Sequence, residues 1–183
     1  MIEPDALKTQ IRSAFSDVEP PPHWCLSRGN EGREPVLLEQ EFGKVLDRHW
    51  EELPQEFLDR APDGYGSALS FFSDEAFRFY LPAYLVAMVD RNLQQADPIF
   101  HLTHGLSRGG GRLINPRRYG ARTARDEALH RLAVFTPTQA AAIRAFLEWF
   151  AASPECLPPE REDIHEAITT FWGQKAQSAG NGN

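Results

Sequence analysis

From Phe79 to Val89 eleven consecutive residues, FYLPAYLVAMV, carry no charge and no side chain more polar than tyrosine. A segment that is apolar on most of its faces must be covered by protein on most of them, because soluble proteins seldom expose apolar patches of that size. The run is too short to cross a bilayer as a helix, which takes about 20 residues, so it predicts a central core helix. Ser73 stands where it can accept from the free amides of a helix beginning at Asp74. Asp74 and Glu75 place negative charge on the first turn, where the helix dipole favours it. Phe77, Leu81, Tyr84, Leu85 and Met88 keep one helical face in phase across Pro82. The sequence therefore predicts a helix over residues 74–95 that kinks or restarts at the proline.

The rest of the chain reads as helices that cover this one. Leu7, Ile11, Ala14, Phe15 and Val18 predict an amphipathic helix over residues 4–18, ended by Pro20, Pro21 and Pro22. Residues 23–34 have no periodicity and predict a loop with Trp24 tucked onto the core. Leu38, Phe42, Val45, Leu46 and His49 predict a second helix starting near Pro35, and Gly43 inside it suggests a close neighbour. A short helix over residues 55–60 follows, stopped by Pro62 and an Asp63-Gly64 turn, and residues 99–104 (IFHLTH) read as helical or irregular. Helix returns over residues 123–133. Thr136-Pro137-Thr138-Gln139 is then a capping box with proline at the first helical position. It opens a helix with a core stripe of Ile143, Phe146, Leu147 and Phe150, and a last helix carries Ile164, Ala167, Ile168, Phe171 and Trp172. The expected architecture is all-α: one compact domain of about six or seven helices over residues 1–173, and a polar, Gly-containing disordered tail over residues 174–183.

Two stretches carry a resemblance. LSFFSDEAFRFYLPAYLVA, followed later by LAVFTPTQAAAIRAFLEWF, resembles a bacterial family known as a domain of unknown function, whose members share a phrase close to LSFLSPEAFRYYLPAYL and a later FT..Q..AI..FL. The resemblance covers the middle and C-terminal parts of the chain and implies no chemistry. It does not extend to residues 108–125, whose role must be read from the residues themselves.

Those residues hold the strongest charge anomaly. The net charge is −7, yet six arginines and no acid lie between Arg108 and Arg125, so the rest of the chain carries −13. An acidic body with one basic loop argues against broad nucleic-acid binding and suits solubility or a basic partner. The triple glycine at 109–111 followed by Arg112, Arg117 and Arg118 has the elements of an anion site: backbone N–H groups freed by glycine, and guanidinium forks. It lacks the order and the lysine of a phosphate-binding P-loop, and no GxGxxG opens a helix. His101 and His104 are the one close histidine pair and would hold a divalent metal if Glu127 or His130 supplied a third ligand. Cys25 and Cys156 have no ligand or redox spacing and read as free thiols. The opening MIEPDALK has no apolar signal segment.

With no catalytic or cofactor motif, the first expectation is a non-enzymatic, cytoplasmic bacterial protein that binds another protein through an acidic surface. A toxin-neutralising immunity protein that meets a basic toxin domain fits the size and charge. From a different class, the alternative is a small enzyme or ligand-binding protein with an anion or metal site at His101, His104 and the arginine loop. Association with copies of itself is the third.

Overall fold

The computed structural model describes residues 2–29, 32–60, 68–115 and 120–178. Among these the chain is all-α, with no strand and two isolated bridges, Ser27 with Phe72 and Leu113 with Thr123. It divides into two compact units, residues 11–98 in one and residues 1–10 with 99–183 in the other. Helix α1 (Pro4–Phe15) contributes residues to both. The helices are shorter and more numerous than the predicted six or seven, because the second expected run breaks at a 3-10 turn and the last at a wider turn.

The unit of residues 11–98 is built on α5 (Asp74–Val89), accompanied by α2 (Arg33–Phe42), α3 (Gln55–Arg60) and α4 (Ala68–Phe71). The Ser73 hydroxyl accepts from the Ala76 amide at 3.0 Å, as its position predicts. Pro82 sits buried inside an unbroken helix, so no restart occurs there. Burial on nearly every face supplies the packing that offsets the hydrogen bond proline cannot make. Phe42, Phe72 and Tyr80 form the centre of the core: Phe42 meets both other rings edge-on at 4.8 Å, and Phe72 stacks on Tyr80 at 5.0 Å.

Two predicted boundaries move. Helix α5 ends at Val89 rather than near residue 95, because Arg91 turns left-handed (φ 59°). Its N–H donates to the Met88 carbonyl and that of Asn92 to Ala87, both at 3.0 Å. This is a Schellman cap with arginine at the position glycine usually takes. Helix α2 ends at Phe42 and passes into a 3-10 turn, Gly43–Val45. A Cβ on Gly43 would lie 3.4 Å from Nε2 of His23, so the close neighbour is an imidazole. The stop expected at Pro62 and Asp63-Gly64 lies outside the described residues. One long-range tie closes this unit: the Asp59 carboxylate accepts from three successive amides, Gln94 on Oδ2 at 3.0 Å and Gln95 and Ala96 on Oδ1 at 2.9 Å each.

The second unit contains α6 (Pro98–Thr103, from Ile99 onward), α7 (Ala124–Leu132), α8 (Pro137–Ala151), α9 (Pro158–Ala167) and α10 (Gly173–Gln177). The ambiguous IFHLTH stretch is thus helical for most of its length. The Thr136–Gln139 capping box is present, and a second one, Thr123 with Asp126, opens α7. Between α9 and α10 the backbone widens into a π turn, Ile168–Trp172, where the Gly173 amide reaches back five residues to the Ile168 carbonyl. A Cβ on Gly173 would stand 2.9 Å from that oxygen, which is why glycine closes the turn. The helix then continues through Gln177, so residues 174–177, expected as frayed tail, pack along α8; residues 179–183 lie outside the described residues. Here Lys175 donates to the Ala133 carbonyl at 3.1 Å, and Trp172 donates its indole N–H to Leu102 at 2.8 Å.

Candidate functional site

His101 lies on α6 and His104 just beyond its end, with Phe100 in contact with both rings: stacked on His104 at 4.6 Å and edge-on to His101 at 5.3 Å. Burial, then the charge of Arg131 and the neighbouring His104, push the His101 imidazole down to about 3. His101 is therefore neutral at physiological pH, and His104 is exposed. Among the described residues no group of three His, Cys, Asp or Glu side chains converges as metal ligands, so neither Glu127 nor His130 completes the pair. Glu127 instead pairs with Arg122 at 3.0 Å.

The described part of the glycine and arginine stretch is zipped to itself. The Ala124 amide donates to Arg112, Ile114 to Arg122 and Arg125 to Gly110, at 2.9, 3.0 and 2.8 Å. Gly110 and Arg112 spend their own N–H groups on Ser107 and Gly109. Two amides of the expected anion cradle are thus already used. Gly105 (φ +83°) is present for a steric reason: a Cβ there would run into the Ala124 carbonyl and lie 2.9 Å from the Ala128 methyl. A Cβ on Gly110 would in turn collide with the Gly105 carbonyl. Arg108 pairs with Glu162 at 2.8 Å, Arg112 is exposed on the outgoing strand of the loop, and Arg117 and Arg118 lie outside the described residues. The structure brings His101 and His104 together around Phe100.

The unit of residues 11–98 has a different character. Its formal charge is −8, whereas residues 1–10 with 99–183 carry +1, so the net negative charge of the chain resides in one unit. That unit has a cavity of about 140 Å³ walled by Trp50, Leu53, Leu58, Ala83, Val86 and Ala87. Arg12 and Glu51 at its margin are engaged with each other at 3.1 Å. Burial pushes the Tyr80 and Tyr84 phenols well above their ordinary range, so both stay protonated at neutral pH and above.

Trp24, expected on the core, is instead 84% exposed. The 3-10 turn His23–Cys25 that carries it is fastened to the start of α5. The Ser73 hydroxyl donates to the Cys25 carbonyl at 2.5 Å, the Ser73 amide to Leu26 at 2.9 Å, and the Arg28 amide to Phe71 at 2.8 Å. Leu26 is fully buried and takes the inward position that the sequence suggested for the tryptophan. The available signal was the absence of any apolar partner for Trp24 at helical or alternate spacing other than Leu26. Cys25 and Cys156 are free thiols, as their spacing indicated.

These features define an all-α chain of two compact units with unequal charge. The chain belongs to the family of unknown function DUF6714, whose model matches residues 3–176. No curated protein and no solved structure matches it. No helix of the described residues is long and apolar enough to cross a membrane.

Proposed function

We propose that this chain is a non-catalytic bacterial protein of the cytoplasm that works by binding another protein, with residues 11–98 as the acidic unit that meets a basic partner. The observation that carries this reading is the segregation of charge, −8 on one unit against +1 on the other. Charge gathered on one body steers an oppositely charged partner and raises the association rate, an effect that fades as salt shortens the Debye length below about 10 Å. Neutralisation of a basic toxin domain is the form of this activity that fits the chain best.

Native mass spectrometry of the untagged protein, purified from its host at low salt, tests it. The expected result is a basic protein in fixed ratio with the chain, released by about 0.5 M salt, whose own activity falls when the chain is added back. A bare chain at low salt overturns the proposal.

A further inference from the structure

A single exposed apolar side chain is ordinary; what sets Trp24 apart is the rigidity of its mount. The Cys25 amide donates to Pro22 at 2.8 Å, the Cys25 carbonyl is held by Ser73, and Ser27 bridges Phe72 while its hydroxyl bonds Glu39 at 3.0 Å. With Leu26 plugged into the core beneath it, the turn leaves the indole two torsions to lose on contact. A large flat side chain with little entropy to lose is the usual composition of an interface hot spot. Three carboxylates bear on the turn that carries it. Glu75 places Oε2 at 3.4 Å from the Cys25 sulfur, Asp74 lies close enough to bear on the same thiol, and Glu39 is tied to the turn through Ser27.

We infer that the Trp24 turn is the docking point of the acidic unit and that its occupant is an arginine- or lysine-bearing segment of a partner protein. The indole face takes one cation, and the exposed carboxylate of Glu75 takes its neighbour. This rests on the proposed function and deepens it.

The test uses the full chain, a peptide of six arginines spaced by glycine, and a neutral glycine-serine peptide of equal length, titrated at low salt by calorimetry. Trp24→Ala leaves the formal charge untouched and removes a side chain that supports no core. The expected result is binding of the arginine peptide alone, about tenfold or more weaker in Trp24→Ala, partly restored in Trp24→Phe and weakened in Glu75→Gln. If Trp24→Ala binds within twofold of the native chain, the docking point is overturned while the acidic-unit reading stands. If the native chain binds neither peptide, the proposed function falls and the inference with it. Equal binding of the neutral peptide, or a homodimer that Trp24→Ala dissolves, overturns the assignment of a basic occupant.

Discussion

Replacing Asp59 should expose how much of the acidic unit hangs on one carboxylate. Burial pulls the Asp59 pKa upward, and the N–H donors of Ala96, Gln95 and Gln94 more than undo it, leaving the group below its ordinary 3.8. Each such bond is worth on the order of 1 kcal/mol, at the low end for an ionised acceptor because the site is partly open to water. Asp59→Ala leaves three amides without a partner and should cost about 3 kcal/mol. Asp59→Asn keeps the oxygen facing Gln95 and Ala96 but turns an N–H₂ towards the Gln94 amide, and should cost about half as much. With a urea slope near 2 kcal/mol/M, the alanine variant shifts the unfolding midpoint by about 1.5 M, read by circular dichroism. The pH dependence has a fixed sign. A carboxyl whose folded pKa lies below its unfolded one stabilises fully above the unfolded value and loses that contribution as pH falls through the folded one. The native chain and Asp59→Asn should therefore converge in acid below 3.8. A cost under about 0.5 kcal/mol for Asp59→Ala, or an Asp59→Asn deficit that persists unchanged at pH 3, would refute the reasoning.

Other expectations follow from single contacts. Gly105→Ala should cost about 3 kcal/mol and lower the melting temperature by about 10 °C, since it combines a left-handed backbone with two collisions; a drop of under about 2 °C would show that the loop yields. Ser73→Ala removes both the α5 cap and the Cys25 tether, so it should cost about 1–2 kcal/mol and lower the fluorescence anisotropy of Trp24. Thr136→Ala, which loses only one side of a capping box, should cost about 1 kcal/mol without touching that anisotropy. His101 stays neutral when folded down to about 3 but protonates near 6.5 when unfolded. Stability therefore falls as pH drops through this window, by up to about 1.4 kcal/mol per pH unit. In His101→Gln the slope of stability against pH between 6.5 and 4 should be flatter, and an unchanged slope would assign it to other groups.

What the sequence made legible was the chemistry that a residue carries out on its immediate neighbours. Ser73 and Thr136 cap the helices they precede, and the helical phase through Pro82 holds because both are local properties. What it hid depends on residues distant in the chain. The imidazole beside Gly43 comes from His23, twenty residues earlier, and the three amides that hold Asp59 lie more than thirty residues away. The charge imbalance was countable from the start as a basic loop against an acidic body. Its location in residues 11–98 appears only once the fold decides which residues belong together. Trp24 faces outward for a local reason, since Leu26 two residues later fills the inward position that the sequence predicts for the tryptophan.

The π turn at Ile168–Trp172 has a consequence for how this end of the chain tolerates change. One residue more than an α-helix would use is accommodated within a single turn, so every residue downstream faces about 100° away from where an unbroken α-helix would put it. Trp172 finds the Leu102 carbonyl, and Lys175 the Ala133 carbonyl, only with that rotation in place. Deleting one residue inside the turn would close it to an α-turn and leave the helix beyond it meshed with α8, whereas deleting one beyond the turn would swing Lys175 off its partner. The C-terminal segment thus absorbs the loss of one residue inside the π turn more readily than the same loss beyond it.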